Sequence, residues 1–114
     1  MRRLGLVVGL LIVTCAAANA SPPGANPFDG SWAETITGES PVCAGSFDTT
    51  FKVVNGRLIQ LGSSGQISPN GSARGSAAGH GFTLTWTGHF SGNSASGRYK
   101  RNDGCVGRWV AVRQ

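Results

Sequence analysis

Apolar and polar residues alternate from Phe82 to Phe90, and this period of two is typical of a β-strand with one buried face. Gly92-Asn93 follows as a turn signal, so the chain is predicted to fold back as a hairpin that ends near Arg101. A two-residue turn places each large ring opposite a small residue or another ring. The predicted pairs are Phe90 with Ala95, Gly88 with Gly97, and Trp86 with Tyr99.

A second hairpin is predicted around Asn55-Gly56, at the end of another alternating strand. A two-residue loop sets Phe51 opposite Gln60, whereas a three-residue loop over 54–56 sets it opposite Ile59. We favour the three-residue loop, because it keeps the apolar residues of both strands on one face. The predicted pairs are then Val53 with Arg57, Phe51 with Ile59, and Thr49 with Leu61.

Further strands are predicted over 31–37, 67–69, 72–78 and 106–112, which gives about eight short strands in all. A sheet with so few residues hides its edges most simply by closing on itself. The predicted fold class is therefore all-β, a small antiparallel up-and-down barrel in which the first and last strands are neighbours. A two-sheet sandwich is the alternative.

The alternation also predicts which side chains point into the barrel. An eight-stranded barrel is only wide enough for its own side chains to fill. If the whole predicted set packs inside, little room is left for a ligand. The predicted inward residues are Trp32, Ile36, Phe47, Phe51, Val53, Ile59, Leu61, Phe82, Leu84, Trp86, Phe90, Tyr99 and Trp109.

The first twenty residues have the three parts of a secretory signal peptide: the basic pair Arg2-Arg3, an apolar run over 4–13, and a small-residue cleavage motif. Cleavage is predicted between Ala20 and Ser21. The apolar run is about half as long as a helix that spans a bilayer. Cys15 leaves a lipoprotein as an alternative, although no small residue precedes it.

After cleavage, residues 21–27 contain three prolines and no apolar period, so they are predicted to be a flexible lead-in to a single domain over 28–114. Two cysteines remain, Cys43 and Cys105, and an even number in an exported chain predicts a disulfide. The mature chain keeps eight of the ten basic residues and all five acidic ones, a formal charge of +3. The predicted location is the periplasm or the outside of the cell.

Few side chains suit catalysis or metal binding, and the candidate site residues are Glu34, His80 and His89. His80 lies in a Gly-His-Gly sequence and is interpreted as a turn residue, and His89 lies on the polar face of a strand. A metal site needs further ligands with suitable spacing, and none is apparent. No catalytic residue, metal or cofactor is therefore predicted.

Glu34 is the most informative acidic residue. Alternation places it on the same face as Trp32 and Ile36, so its side chain is predicted to point inward. A buried carboxylate without a partner is costly. We therefore expect Glu34 to lie near the barrel rim or to pair with an arginine of the last strand, Arg108 or Arg113.

Basic residues gather in the last two predicted strands, and they are interpreted as a solvated face. Tyr99 and Trp109 lie in the same strands, but their inward phase argues against a platform for stacked bases. Nucleic acid is therefore not a predicted partner. The basic residues are Arg98, Lys100, Arg101 and Arg108.

Three segments, 28–32, 90–99 and 104–109, resemble a family of small exported bacterial proteins rich in β structure. The resemblance covers nearly the whole mature chain. It implies export and β structure, and it brings no activity, ligand or catalytic residue. Gly30-Ser31-Trp32 is also similar to the Gly-x-Trp of calycin-like small barrels, which include avidins, lipocalins and bacterial inhibitors of proteases or lysozyme. That likeness implies a fold and fixes no function.

The sequence favours a non-enzymatic binding or inhibitory module that engages a protein or an envelope component through its loops. A structural or stress-related envelope protein without a discrete ligand is the alternative. An enzyme is the third hypothesis, because side chains with suitable chemistry are few. The mature chain is expected to lack a transmembrane span.

Overall fold

The computed structural model describes residues 26–114, which form eight strands and one short 3-10 helix. Each strand pairs antiparallel with the next along the chain, and the last pairs with the first, so the sheet closes as a barrel. This confirms the predicted up-and-down barrel over the sandwich. The strands are β1 (Gly30–Gly38), β2 (Gly45–Val54), β3 (Arg57–Gln60), β4 (Ser63–Ile67), β5 (Ser72–Gly79), β6 (Phe82–Ser91), β7 (Ser94–Arg101) and β8 (Val106–Arg113).

The predicted signal peptide over 1–20, its cleavage site and Cys15 lie outside the described residues, as does most of the predicted lead-in. Its last two residues hydrogen bond to the barrel. Asn26 Nδ2 donates to the carbonyl oxygen of Ile67 at 2.8 Å, and Pro27 O accepts a bond from the last strand. Within 26–114, no helix has the length and hydropathy that a membrane span requires.

The hairpin of β6 and β7 has the predicted register. Phe90 lies opposite Ala95, and Trp86 lies opposite Tyr99. The turn at Gly92-Asn93 is tight because Gly92 adopts a positive φ of 59°, which a glycine accepts without steric cost. Alternation from Phe82 to Phe90 together with the turn signal Gly92-Asn93 was therefore enough to predict this register.

The hairpin of β2 and β3 corrects the predicted register. Its loop has two residues, Asn55 and Gly56, with φ values of 52° and 76°, as a type I′ turn requires. Leu58 therefore lies opposite Val53 and faces inward, while Ile59 faces outward and is 54 % exposed. The twist of a type I′ turn matches that of the strands, and Leu58 supplies the buried contact that the prediction assigned to Ile59.

A carboxylate outside the hairpin holds this turn in place. Asp29 accepts hydrogen bonds from the backbone N–H groups of Asn55 and Gly56, each at 3.0 Å. Both donors lie at the tip of the loop, where no strand pairs with them. Asp29 therefore favours the two-residue loop over the longer one.

Strand β4 lies earlier in the chain than predicted. It spans Ser63–Ile67, whereas the expected strand was 67–69. Ser68 begins the next turn, because its carbonyl oxygen accepts a hydrogen bond from Gly71 N at 2.8 Å. Four of the five β4 residues are serine, glycine or glutamine, so the strand lacks the β-branched and aromatic residues by which strands are recognised.

The interior is filled at the end of the barrel where β1 begins and β8 ends, here called the packed end. Trp32 is fully buried there, with its ring centroid 5.0 Å from that of Phe90 and 6.1 Å from that of Phe51. Phe28 covers this end, and its carbonyl oxygen accepts a hydrogen bond from Trp32 Nε1 at 3.0 Å. Buried aromatic side chains of this size dominate the energy of a small core.

Two tryptophan rings cross the middle of the barrel. Trp86 and Trp109 meet edge to face, with centroids 5.7 Å apart. Trp86 lies against Gly75 of β5, where an added Cβ would come within 2.5 Å of the ring. Trp109 lies against Gly97 of β7, where an added Cβ would come within 2.6 Å. Each ring therefore needs a glycine at the position of the neighbouring strand that it contacts. One strand further on, a second glycine meets each ring, Gly65 under Trp86 and Gly88 under Trp109.

One disulfide joins Cys43, in the 3-10 helix Pro41–Cys43, to Cys105 just before β8, and it confirms the predicted bridge. The two Cα atoms are 5.7 Å apart and 62 residues apart in sequence. The bond links the β1–β2 and β7–β8 loops at the end opposite the packed end, here called the open end. A disulfide is compatible with an oxidising, exported location.

We expect Gly75→Ala to lower the free energy of unfolding by about 1–3 kcal/mol, because its methyl group would overlap both the carbonyl oxygen of Ser64 and the Trp86 ring. Gly79→Ala is the matched control in the same strand, since nothing lies within 4 Å of its Cβ position. We expect the control to stay within about 0.5 kcal/mol of wild type. Urea unfolding measures both, and equal effects would contradict the close approach of Ser64 and Trp86 to Gly75.

Replacing both cysteines, Cys43→Ser with Cys105→Ser, should cost about 4 kcal/mol of stability, because the unfolded chain regains the freedom that a long closed loop removes. Urea unfolding of oxidised wild type and of the double variant measures the difference. Dithiothreitol should bring wild type to the level of the variant and leave the variant unchanged. A variant as stable as the oxidised protein would show that the bond contributes nothing.

Candidate functional site

A cavity of about 810 Å³ occupies the half of the barrel interior next to the open end. Its floor consists of Leu58, Trp86 and Trp109, which also belong to the packed core. Apolar side chains of β1, β2 and β6 form most of its wall. This volume lies within the range of small-molecule sites, about 300–1,000 Å³. The wall residues include Ile36, Phe47, Phe82 and Leu84.

The cavity contradicts the expectation of a filled interior. Phe47 has the inward phase but stands at the mouth, 60 % exposed, and Leu61 is fully exposed on the rim at 102 %. On the opposite wall, small residues face the interior, Ser63 from β4 and Ala77 from β5. Ser63 and Ala77 are too small to fill the interior, and the large side chains of Phe47 and Leu61 lie at the mouth. The half of the barrel nearest the open end is therefore left unfilled.

Glu34 lies on the inner wall of this cavity, as its alternation predicts. Along β1 it is the next inward residue after the fully buried Trp32, so its carboxylate sits directly above the packed half. Gln60 Nε2 donates a hydrogen bond to Glu34 Oε1 at 3.3 Å. Burial raises the pKa of Glu34 above its ordinary value of 4.5, and the Gln60 hydrogen bond offsets part of the rise.

The expected pairing of Glu34 with an arginine of β8 is not formed. Arg108 points outward and donates to Glu39 at 3.1 Å. Arg113 lies at the packed end, where its guanidinium donates to Asp29 O at 2.6 Å. Both arginines therefore bind partners away from the cavity. The side-chain hydrogen bond described for Glu34 comes from Gln60 instead.

Polar groups also line the mouth. His80, in the β5–β6 turn with a φ of 51°, borders the cavity. Arg101 lies over the Phe82 ring, with its guanidinium carbon 4.2 Å from the ring centroid, and it also pairs with Asp103. The Arg101 hydrogen bond lowers the pKa of Asp103 to about 2. Burial raises the pKa of the Tyr99 phenol, which lines the wall nearby.

The three sequence candidates are only partly brought together. Glu34 and His80 line the same cavity, whereas His89 faces outward near the packed end, between Ser72 and Ser96 in the sheet. Over residues 26–114, no group of three or more His, Cys, Asp or Glu side chains has an arrangement that suits a metal ion.

Besides the small residues Ser63 and Ala77, sequence reasoning missed the cavity residues Leu58 and Gln60. The inward positions of Leu58 and Gln60 follow from the register of the β2–β3 hairpin, since a two-residue loop at Asn55-Gly56 turns these two side chains inward. That dipeptide is the strongest short signal for such a loop, and it outweighed the apolar phase of Ile59.

Arg98, Lys100 and Arg108 form a solvated face as predicted, whereas Arg101 corrects the prediction, because it shares the inward phase of Tyr99 and lines the cavity mouth. Arg98 and Arg108 both pair with Glu39 on the outer surface. Tyr99 and Trp109 point into the barrel, as their phase predicts. Surface ion pairs of this kind contribute little to stability.

Comparison of the chain with protein-family models, with curated proteins and with solved structures found no match. The resemblances to small exported bacterial proteins and to calycin-like barrels therefore remain predictions. The function proposed below rests on the cavity and on the side chains that line it.

We expect Glu34→Gln to be more stable than wild type at pH 7 and equal to it near pH 4. The raised pKa means that the folded protein holds the Glu34 proton more tightly than the unfolded chain. This contribution is complete below pH 4.5 and is lost as the pH rises through the folded-state pKa. Glutamine is uncharged throughout, so it avoids that loss.

Urea unfolding of both proteins at pH 4 and pH 7 measures the difference. A stability difference that is the same at both pH values would show that Glu34 ionises without a penalty from burial.

Proposed function

We propose that this protein is a non-enzymatic binding module that holds a small, largely apolar molecule in the open half of its barrel. The observation that carries the proposal is the cavity of about 810 Å³ with a floor of aromatic rings and a mostly apolar wall. Small-molecule sites are typically concave, apolar and supplied with a few convergent polar groups. Glu34 and Gln60 are such groups here.

The rest of the barrel supports this function by keeping the cavity in shape. The packed half fixes the floor through Trp86 and Trp109, and the disulfide joins two loops at the open end. A site that is already formed loses little conformational entropy when a ligand binds. We further propose that binding takes place in the periplasm or outside the cell.

A protein or envelope component bound at the rim is the second candidate, which includes an inhibitory role. It is favoured by the exposed apolar side chains of Val42, Phe47 and Leu61 around the open end. Loops on a rigid scaffold commonly carry such contacts. A structural or stress-related envelope protein, in contrast, would bind no ligand in a saturable way.

The test is a titration with N-phenyl-1-naphthylamine, a neutral apolar dye that fluoresces when it leaves water. We expect saturable binding to the mature protein, and at least about tenfold weaker binding by Ala77→Phe, which places a ring in the cavity. Ser72→Phe is the matched control, because Ser72 lies on the same strand and is exposed on the outer surface.

Equal loss in both phenylalanine variants, or no loss in either, would place the dye outside the cavity. No saturable binding by wild type would favour the rim or the structural role. Unfolding curves of both variants exclude a loss that comes from misfolding.

A further inference from the structure

The inner wall of the cavity carries a carboxylate that has no basic partner among the described residues. Glu34 accepts one side-chain hydrogen bond, from Gln60 at 3.3 Å, which is long for a carboxylate. A carboxylate has about four acceptor sites on two oxygens, so most of this capacity stays unused within residues 26–114. Its sheet neighbours on either side, Thr49 and Ala111, bring no charge.

Such a group is costly in the protein alone. A partly buried charge is destabilising unless a counter-charge and hydrogen bonds accompany it. The basic side chains with described ion pairs meet Glu39 and Asp103, both at the surface. A cation that enters the cavity would supply what the barrel does not.

Gln60 provides a second acceptor beside the carboxylate. Its Nε2 donates to Glu34 Oε1 and to Thr50 O at 3.0 Å, and this fixes which way the amide points. Its Oε1 accepts none of the hydrogen bonds described for residues 26–114. Two oxygens on the same wall, Glu34 Oε2 and Gln60 Oε1, are therefore open to a donor group. An ammonium has three N–H donors and no acceptor.

The aromatic floor suits the rest of the same ligand. Trp86 and Trp109 line the cavity, and the faces and edges of such rings favour aromatic or aliphatic groups. Tryptophan faces also attract cations, so they do not repel an amine on its way to the carboxylate. The wall of Ile36 and Leu84 adds apolar surface.

Arg101, which lines the cavity at its mouth, is poorly suited to binding an anion. Arg101 is already bound through Nε and Nη2 to Asp103, and its guanidinium covers the Phe82 ring at the mouth. His80, on the same rim, is exposed. An anionic ligand that reached the floor would bring its charge close to Glu34.

We propose that the cavity selects a small amphiphilic amine, whose ammonium group binds Glu34 and Gln60 and whose apolar ring or chain lies on Trp86 and Trp109. This inference rests on the proposed function, because it names the class of ligand for the same cavity. It assigns to Glu34 the role of the residue that determines specificity.

Three naphthyl ligands of similar size test it: 2-(1-naphthyl)ethylamine, 2-(1-naphthyl)ethanol and 1-naphthaleneacetate. Calorimetric titration of the mature protein at pH 7 should give an affinity for the amine at least about tenfold above that for the alcohol, with the carboxylate weakest. Glu34→Gln should abolish the preference for the amine and keep the affinity for the alcohol. Retained alcohol binding also shows that the variant is folded.

Asp48→Asn is the matched control for net charge, because Asp48 is exposed on the outside of the neighbouring strand. It should keep the full preference for the amine. A similar loss in Asp48→Asn and Glu34→Gln would overturn a local role for Glu34.

The two proposals fail in different ways. If the alcohol binds in the cavity as tightly as the amine, or if Glu34→Gln keeps the preference, the amine specificity is wrong and the apolar site stands. If none of the three ligands binds saturably, or if Ala77→Phe leaves binding unchanged, the cavity function itself is wrong.

Discussion

The contact between two tryptophan rings and the bare backbone of neighbouring strands determines the interior of this barrel. Trp86 and Trp109 fit across so narrow a sheet only because glycines of the adjoining strands let the rings approach the backbone. Placed edge to face, the two rings divide the interior into a packed half below and an open half above. The core and the candidate site are thus two sides of one layer of side chains.

The two ends of the barrel are closed to different degrees, and this asymmetry leaves the candidate cavity open at one end. At the packed end Phe28 covers the core, and the Arg113 guanidinium lies 4.8 Å from the Trp32 ring centroid and donates to Asp29 O. At the open end the Cys43–Cys105 bond holds two loops together without filling the space between the strands. The first and last described residues therefore both pack against the packed end of the barrel.

Alternation predicted much of the fold and one residue of the candidate site, but it did not predict the cavity. The long pattern from Phe82 to Phe90 predicted the register of its hairpin, and the same reasoning placed Glu34 inside. The predicted register of the β2–β3 hairpin was wrong. Leu58 and Ile59 are both apolar, so alternation alone did not decide which of the two faces inward. The cavity exists because small residues such as Ala77 face inward. The sequence of β5 has no clear apolar alternation, so it does not predict how much of the interior stays unfilled.

The layer of tryptophans also has a consequence for how such a protein changes over evolutionary time. Residues above the layer, such as Phe47 and Ala77, contribute little to the core, so selection is free to alter them with small losses of stability. Residues below it, such as Trp32 and Phe90, tolerate change poorly because their volume is matched to a closed space. Recognition in this barrel is therefore able to diverge while the scaffold stays constant.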